Sequence, residues 1–170
     1  DMICPNMATM LCFITTDIAV SPAMLQAALE QAVGVSFNML SVDGDTSTND
    51  MACVLASGLA GNAPVTDKGE AYDAFAAALT AVCVRTAREM ARDGEGATKL
   101  LECTVRGAAD TPTAKALAKS VINSALVKTA MFGADANWGR ILCAMGYAGV
   151  PFTVESTRIS FVSAAGTLLV

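Results

Sequence analysis

The chain has 170 residues, 54% of them hydrophobic, 5% aromatic, and a formal net charge of −5. That length supports one sizeable core, burying roughly two thirds of the unfolded surface, while scattered basic residues exclude a nucleic-acid groove, which needs clustered Lys and Arg. No apolar run approaches the ~20 residues of a membrane span, and no basic region followed by an apolar one opens the sequence, so a soluble protein acting on small molecules is expected.

In chain order, Met10 to Thr16 is apolar and β-prone and reads as a buried strand. Ser21 and Pro22 supply an N-cap and a first-turn proline for a helix running through about Val33 and ending near Gly34. "SFNMLSV", Ser36 to Val42, alternates and reads as a second strand; after the polar "DGDTSTND", "MACVLAS" is a candidate third, its alanines leaving a helix as the alternative. A long helix is expected from about Asp67 to Asp93, with Phe75, Leu79, Val82 and Met90 near one face and Gly94 as its stop. Acidic residues at its start and arginines at its end suit the helix dipole.

"TKLLECTVRG" reads as a strand, and Thr111-Pro112 opens a second long helix bearing Leu117, Val121 and Ala125, stopped by Gly133. A short helix or turn follows from Trp138 to Met145, and "RISFVSA" with "GTLLV" forms a final hairpin. The pattern is that of a mixed α/β layer structure forming one domain, or a large fragment of one. Abundant small side chains predict close contact between its layers.

Six cysteines, at positions 4, 12, 53, 83, 103 and 143, include no Cys-x-x-Cys pair, and the sequence has no histidine, so no zinc pattern arises. They read as small buried residues in a reducing compartment. The run Asp43 to Asp50 begins like a calcium loop, but Thr48 stands where glycine is needed and Val54 where glutamate is needed. A hydrogen-bonded turn near a ligand is the better reading, and no metal is expected.

"GEGATK", Gly94 to Lys99, follows a helix and precedes a strand, the reverse of a phosphate loop. Glu95 there is either a solvated turn residue or a contact for a ligand cation. "MFGADANWGRIL" is either a helix stop and new N-cap with Trp138 as a core anchor, or a polar cluster of Asp135, Asn137 and Arg140 beside an active site. Without histidine, a serine-histidine-acid arrangement is impossible within the chain. A hydroxyl nucleophile would need a lysine, a partner chain or its own freed α-amine as base. The last option draws attention to Thr9, preceded by Ala8 and followed by a strand.

Several runs together resemble one family, the bifunctional ornithine acetyltransferases (glutamate N-acetyltransferases) of arginine biosynthesis: "MICPNMATMLCFITTD", "FNMLSVDGDTSTND", "RDGEGATK", "ALVKTAMFGADANWGR" and "ILCAMGYAG". They occur in the family's order and cover most of the chain. The resemblance implies the self-cleaving α/β/β/α layered fold, with residues 9–170 corresponding to most of the family's β-chain region and residues 1–8 preceding the cut. It assigns the scissile bond to Ala8-Thr9 and the acyl-accepting nucleophile, which also contacts substrate, to Thr9. A substrate contact falls to Glu95, meeting the substrate's amino group, with Asn137 and Arg140 as near-site residues.

The implied reaction is ping-pong acetyl transfer from N-acetylornithine to glutamate through a threonyl ester, with no cofactor; acetyl-CoA is an alternative acetyl donor in some members. The implied partner is the upstream α segment of the same precursor, in an α2β2 heterotetramer. The implied location is cytoplasmic, or mitochondrial in a eukaryote, with no nucleic-acid or membrane partner. The family's oxyanion-stabilising Thr-Gly pair and a substrate-binding lysine belong to the upstream segment, and further substrate contacts lie beyond Val170. With Ala8-Thr9 written as continuous, a fragment or unprocessed form, incomplete as a catalyst alone, is expected. Two alternatives stand beside this reading: an N-terminal-nucleophile aminopeptidase of related fold, and a non-catalytic uncleaved homologue.

Overall fold

The computed structural model describes residues 10–45 and 49–170. Its described elements are mixed α/β and fall into two compact units, Asp1–Ala97 and Thr98–Val170. Among the described residues, no helix is long and apolar enough to cross a membrane.

In the first unit, β1 (Leu11–Thr16) pairs in parallel with β2 (Met51–Ala56), Leu11 facing Met51 and Thr16 facing Ala56. A parallel pair needs a crossover, and α1 (Pro22–Gly34) supplies it. It starts as its sequence dictates: Pro22 fits the first turn, and the Ser21 hydroxyl accepts a 3.3 Å hydrogen bond from the Met24 N–H. An isolated parallel bridge between Val20 and Val65 extends the pairing, and Asn62 supports it by accepting from the Ala19 N–H at 2.8 Å and donating to the Ala19 carbonyl at 3.0 Å.

The long helix α2 (Glu70–Arg92) packs on α1 through a stripe of Tyr72, Ala76, Leu79, Cys83 and Ala87 against Ala28 and Ala32. Small side chains at the contact let helix axes approach, as composition predicts. The buried stripe is rotated from the expected one: Val82 is 49% exposed, and Phe75 and Met90 are only partly buried.

Two expectations for this unit are overturned. "SFNMLSV" is not a strand but a 3-10 turn, Phe37–Met39, in which the Leu40 N–H donates to the Phe37 carbonyl at 3.0 Å. Side chains three apart eclipse in that geometry, so Phe37 and Leu40 both reach the interior, a period of three that a strand, with its period of two, would have sent to opposite faces. Nor is β1 buried on both faces. Cys12 and Ile14 turn to the helices, but Leu11 is 59% and Phe13 63% exposed, because α1 and α2 cover one face of the pair.

In the second unit, Thr98 to Arg106 forms no ladder among the described residues, so the expected strand is absent. Its alternation is nevertheless real: Leu101, Cys103 and Val105 pack on the second core, and Glu102, Thr104 and Arg106 are exposed. The second long helix is in fact two, α3 (Thr111–Asn123) and α4 (Ala125–Phe132). Ser124 divides them. Its extended backbone (φ −68°, ψ 115°) ends α3 while its hydroxyl accepts from the Val127 N–H at 3.3 Å to cap α4. Gly133 ends α4 as expected, and α5 (Trp138–Gly146) follows. Leu117, Val121, Val127, Ala144 and Met145 form this unit's core. The expected hairpin is present as antiparallel β3 (Ser160–Ser163) and β4 (Gly166–Leu169).

Candidate active site

Ala8 and Thr9 lie outside the described residues, so the site is built from Met10 onward. Met10 is buried, and both its backbone groups are held. Its carbonyl accepts from the Met51 N–H at 2.8 Å, and its N–H donates to Asp50 Oδ1 at 2.8 Å. The β1–β2 ladder starts at Leu11, so the Asp50 carboxylate takes over where strand pairing stops. Asp50 closes the "DGDTSTND" run, whose earlier part is a turn in which Asp43 Oδ1 accepts from the Asp45 N–H at 2.9 Å.

Glu95 sits at the exposed tip of the turn following α2, and it belongs to the first unit. The turn is shaped by its glycines. Gly94 is buried, and a side chain there would bring its Cβ to 3.1 Å from Val42 Cγ1. Gly96 has φ +71°, a left-handed conformation that disfavours other residues, and the Ala97 N–H closes the turn on the Gly94 carbonyl at 2.8 Å. The helix itself is capped one residue earlier than expected, at Asp93, whose N–H donates to the Glu89 carbonyl.

Asn137 and Arg140 come together in the second unit, as structural joints. Asn137 Oδ1 caps α5 by accepting from the Arg140 N–H at 3.1 Å, and its Nδ2 donates to Asp135 Oδ2 at 2.9 Å. Arg140 Nη1 donates to the Leu126 carbonyl at 2.8 Å and to Thr129 Oγ1 at 3.1 Å, fastening α5 to α4. The stretch holds both a helix stop with a new cap and a polar grouping of Asp135, Asn137 and Arg140, while Trp138 is 50% exposed and anchors no core. Ala134 takes a left-handed φ of 56° to make the turn.

Two polar residues escaped sequence reasoning. Lys99 Nζ donates to the carbonyls of Met131 at 2.7 Å and Phe132 at 2.8 Å, adding a cation to the C-terminal end of α4, where the Met131 carbonyl also accepts from the Ala134 N–H at 3.1 Å. Only its place in "GEGATK" marked it. Asp50 was one carboxylate among several in its run, and its partner lies 40 residues away.

Among the described residues no cluster of His, Cys, Asp or Glu could hold a metal ion. The Cys12, Cys83 and Cys103 thiols are pushed above their ordinary value by burial, which disfavours the thiolate. They are poor nucleophiles. For Cys83 the Cys12 thiol adds to the effect and a Ser36 hydrogen bond opposes it.

The model of the ArgJ family matches residues 1–169. The chain belongs to the ArgJ family. Among its relatives, the arginine biosynthesis bifunctional protein ArgJ of Symbiobacterium thermophilum is 59% identical over 151 residues, covering 89% of this chain and 38% of the relative. The protein of the same name from Geobacillus kaustophilus is 57% identical over 159 residues, covering 94% and 39%. The crystal structure of the bifunctional protein ArgJ from Bacillus halodurans matches with a TM-score of 0.85 at 50% identity, covering 88% of this chain and 70% of that one. The chain thus spans about two fifths of the length of these curated relatives.

Proposed function

We propose that the ArgJ-family protein containing this chain transfers acetyl from N-acetylornithine to glutamate, with Thr9 as nucleophile. The observation that carries the reading is that the family match takes in both the "NMATM" run and the "GEGATK" run, so the nucleophile and the substrate carboxylate occur in family context. In the first stage, Thr9 Oγ attacks the Ala8 carbonyl and the peptide C–N bond breaks. The hydroxyl proton passes to the departing nitrogen, which becomes the free Thr9 α-amine, and water then hydrolyses the ester to an Ala8 carboxylate and a restored Thr9 hydroxyl. In the second stage, that amine takes the hydroxyl proton as Thr9 attacks the acetyl carbonyl of N-acetylornithine, and ornithine leaves with the proton. The amine of glutamate then takes the acetyl group and restores the hydroxyl.

The ester conserves the transferable acetyl, so no cofactor is required, and acetyl-CoA serves only as an alternative donor. Glu95, exposed at a turn tip, is suited to a substrate ammonium. The upstream segment of the precursor completes the site, in an α2β2 assembly. Incubating the complete protein with N-acetylornithine and glutamate tests the reading: N-acetylglutamate and ornithine are the expected products. Acetate without N-acetylglutamate would instead identify an aminopeptidase-like hydrolase. Thr9→Ala is expected to abolish both cutting and transfer, since one hydroxyl serves both; retained transfer would refute the assignment. Glu95→Gln is expected to raise KM by about tenfold while self-cleavage proceeds, the loss of one charged hydrogen bond.

A further inference from the structure

We infer that Asp50 is a positioning residue for the Thr9 nucleophile. The Met10 N–H that donates to Asp50 Oδ1 at 2.8 Å belongs to the peptide group joining Thr9 to Met10. The Met10 carbonyl is fixed at the same time by the Met51 N–H, also at 2.8 Å, and the Met10 side chain is buried. Both polar groups and the side chain of the residue next to the nucleophile are therefore held, and the anchor nearest Thr9 is a charge-assisted bond. Such bonds are shorter and stronger than neutral ones. Strand pairing cannot supply it, because the ladder begins one residue later, at Leu11 and Met51. Asp50 continues the pairing with a side chain where the backbone partner runs out. Met10 is bonded directly to the proposed nucleophile, so holding its N–H and carbonyl removes freedom from that covalent link. Displacement of a reacting group by about 1 Å is enough to cost large factors in rate.

The inference rests on the reading of Thr9 as nucleophile, and the experiment separates the two. In the complete precursor, Asp50→Ala, Asp50→Glu and Asp50→Asn are compared with Asp43→Ala, which alters a carboxylate of the same sequence run that accepts from the Asp45 N–H instead. Appearance of the fragment beginning at Thr9 is followed by intact mass, and kcat and KM are measured on cut protein. Asp50→Asn keeps an acceptor oxygen in place but gives up the charge, and should slow both steps by less than Asp50→Glu does. Asp50→Glu keeps the charge but moves the acceptor by a methylene, and should slow both steps about tenfold or more, with KM within about twofold. Asp50→Ala should do at least as much, and the Asp50→Glu arm stands by itself should the alanine variant not fold. Wild-type cutting and kcat in Asp50→Glu, or equal slowing in Asp43→Ala, would overturn the anchor. Retained transfer in Thr9→Ala would overturn the nucleophile and the anchor with it; a dead Thr9→Ala beside a normal Asp50→Glu would overturn the anchor alone.

Discussion

Cys83 and Cys143 show how far apart two residues of one type can stand. Cys83 is fully buried between α1 and α2, whereas Cys143 is exposed on α5. A thiol reagent applied to the native chain is expected to label Cys143 well ahead of Cys12 and Cys83, which should react only after denaturant is added; peptide mapping checks the order. The same burial sets a pH dependence. Because folding raises the thiol pKa of Cys83 above its ordinary 9.0, its contribution to stability is present below that value and is lost as pH rises through the folded-state value. Thermal scans should show stability falling in the alkaline range, and Cys83→Ala should flatten that fall. Composition suggested burial for every cysteine, but among the described residues it holds for Cys12 and Cys83 only; Cys53 and Cys103 are partly buried and Cys143 is exposed, since exposure depends on which face of an element meets the core. Asp50 was illegible for a related reason. Nothing in "DGDTSTND" says which carboxylate will reach a strand 40 residues back, because that follows from the parallel register.

Among the elements, those with explicit start and stop chemistry were read correctly. Ser21-Pro22 opened α1, Thr111-Pro112 opened α3, and Gly133 closed α4. Ser124 was missed because "NSALV" continues a helical apolar stripe, and propensity alone does not show a serine that turns its hydroxyl onto the next turn of backbone. Ser124→Ala and Asn137→Ala should each destabilise the chain by about 1 kcal/mol, as loss of an N-cap does, measured by urea denaturation. Unchanged stability in either would show that the cap geometry contributes nothing. The segment from Thr98 to Arg106 teaches the converse lesson. Alternation reports that alternate side chains are covered, and here Leu101, Cys103 and Val105 are, yet a strand also needs a partner for its backbone.

For the whole molecule, mixed α/β character was legible from the alternation of β-prone runs with long helical patterns, whereas its division at Ala97 into two units was not. "GEGATK" carries no linker-like composition to mark that boundary. Nor could hydrophobicity tell which strand faces would be covered. Phe37 is 4% exposed and Phe13 63%, though both lie in apolar runs. In this chain Phe13→Thr, which retains β-propensity, should change stability by less than about 0.5 kcal/mol. Phe37→Ala should cost about 3–5 kcal/mol. Comparable losses in the two variants would show that the outer face of the β1–β2 pair is not solvent-facing. The bond from Met10 to Asp50 also bears on timing. It closes a stretch of 40 residues and exists only once β1, the α1 crossover and β2 have met, so on the proposed chemistry backbone scission waits for a non-local, slow-forming contact. A chain still emerging from synthesis, or one caught misfolded, would keep its backbone whole, and the cut would serve as a clock that starts only when this unit is complete.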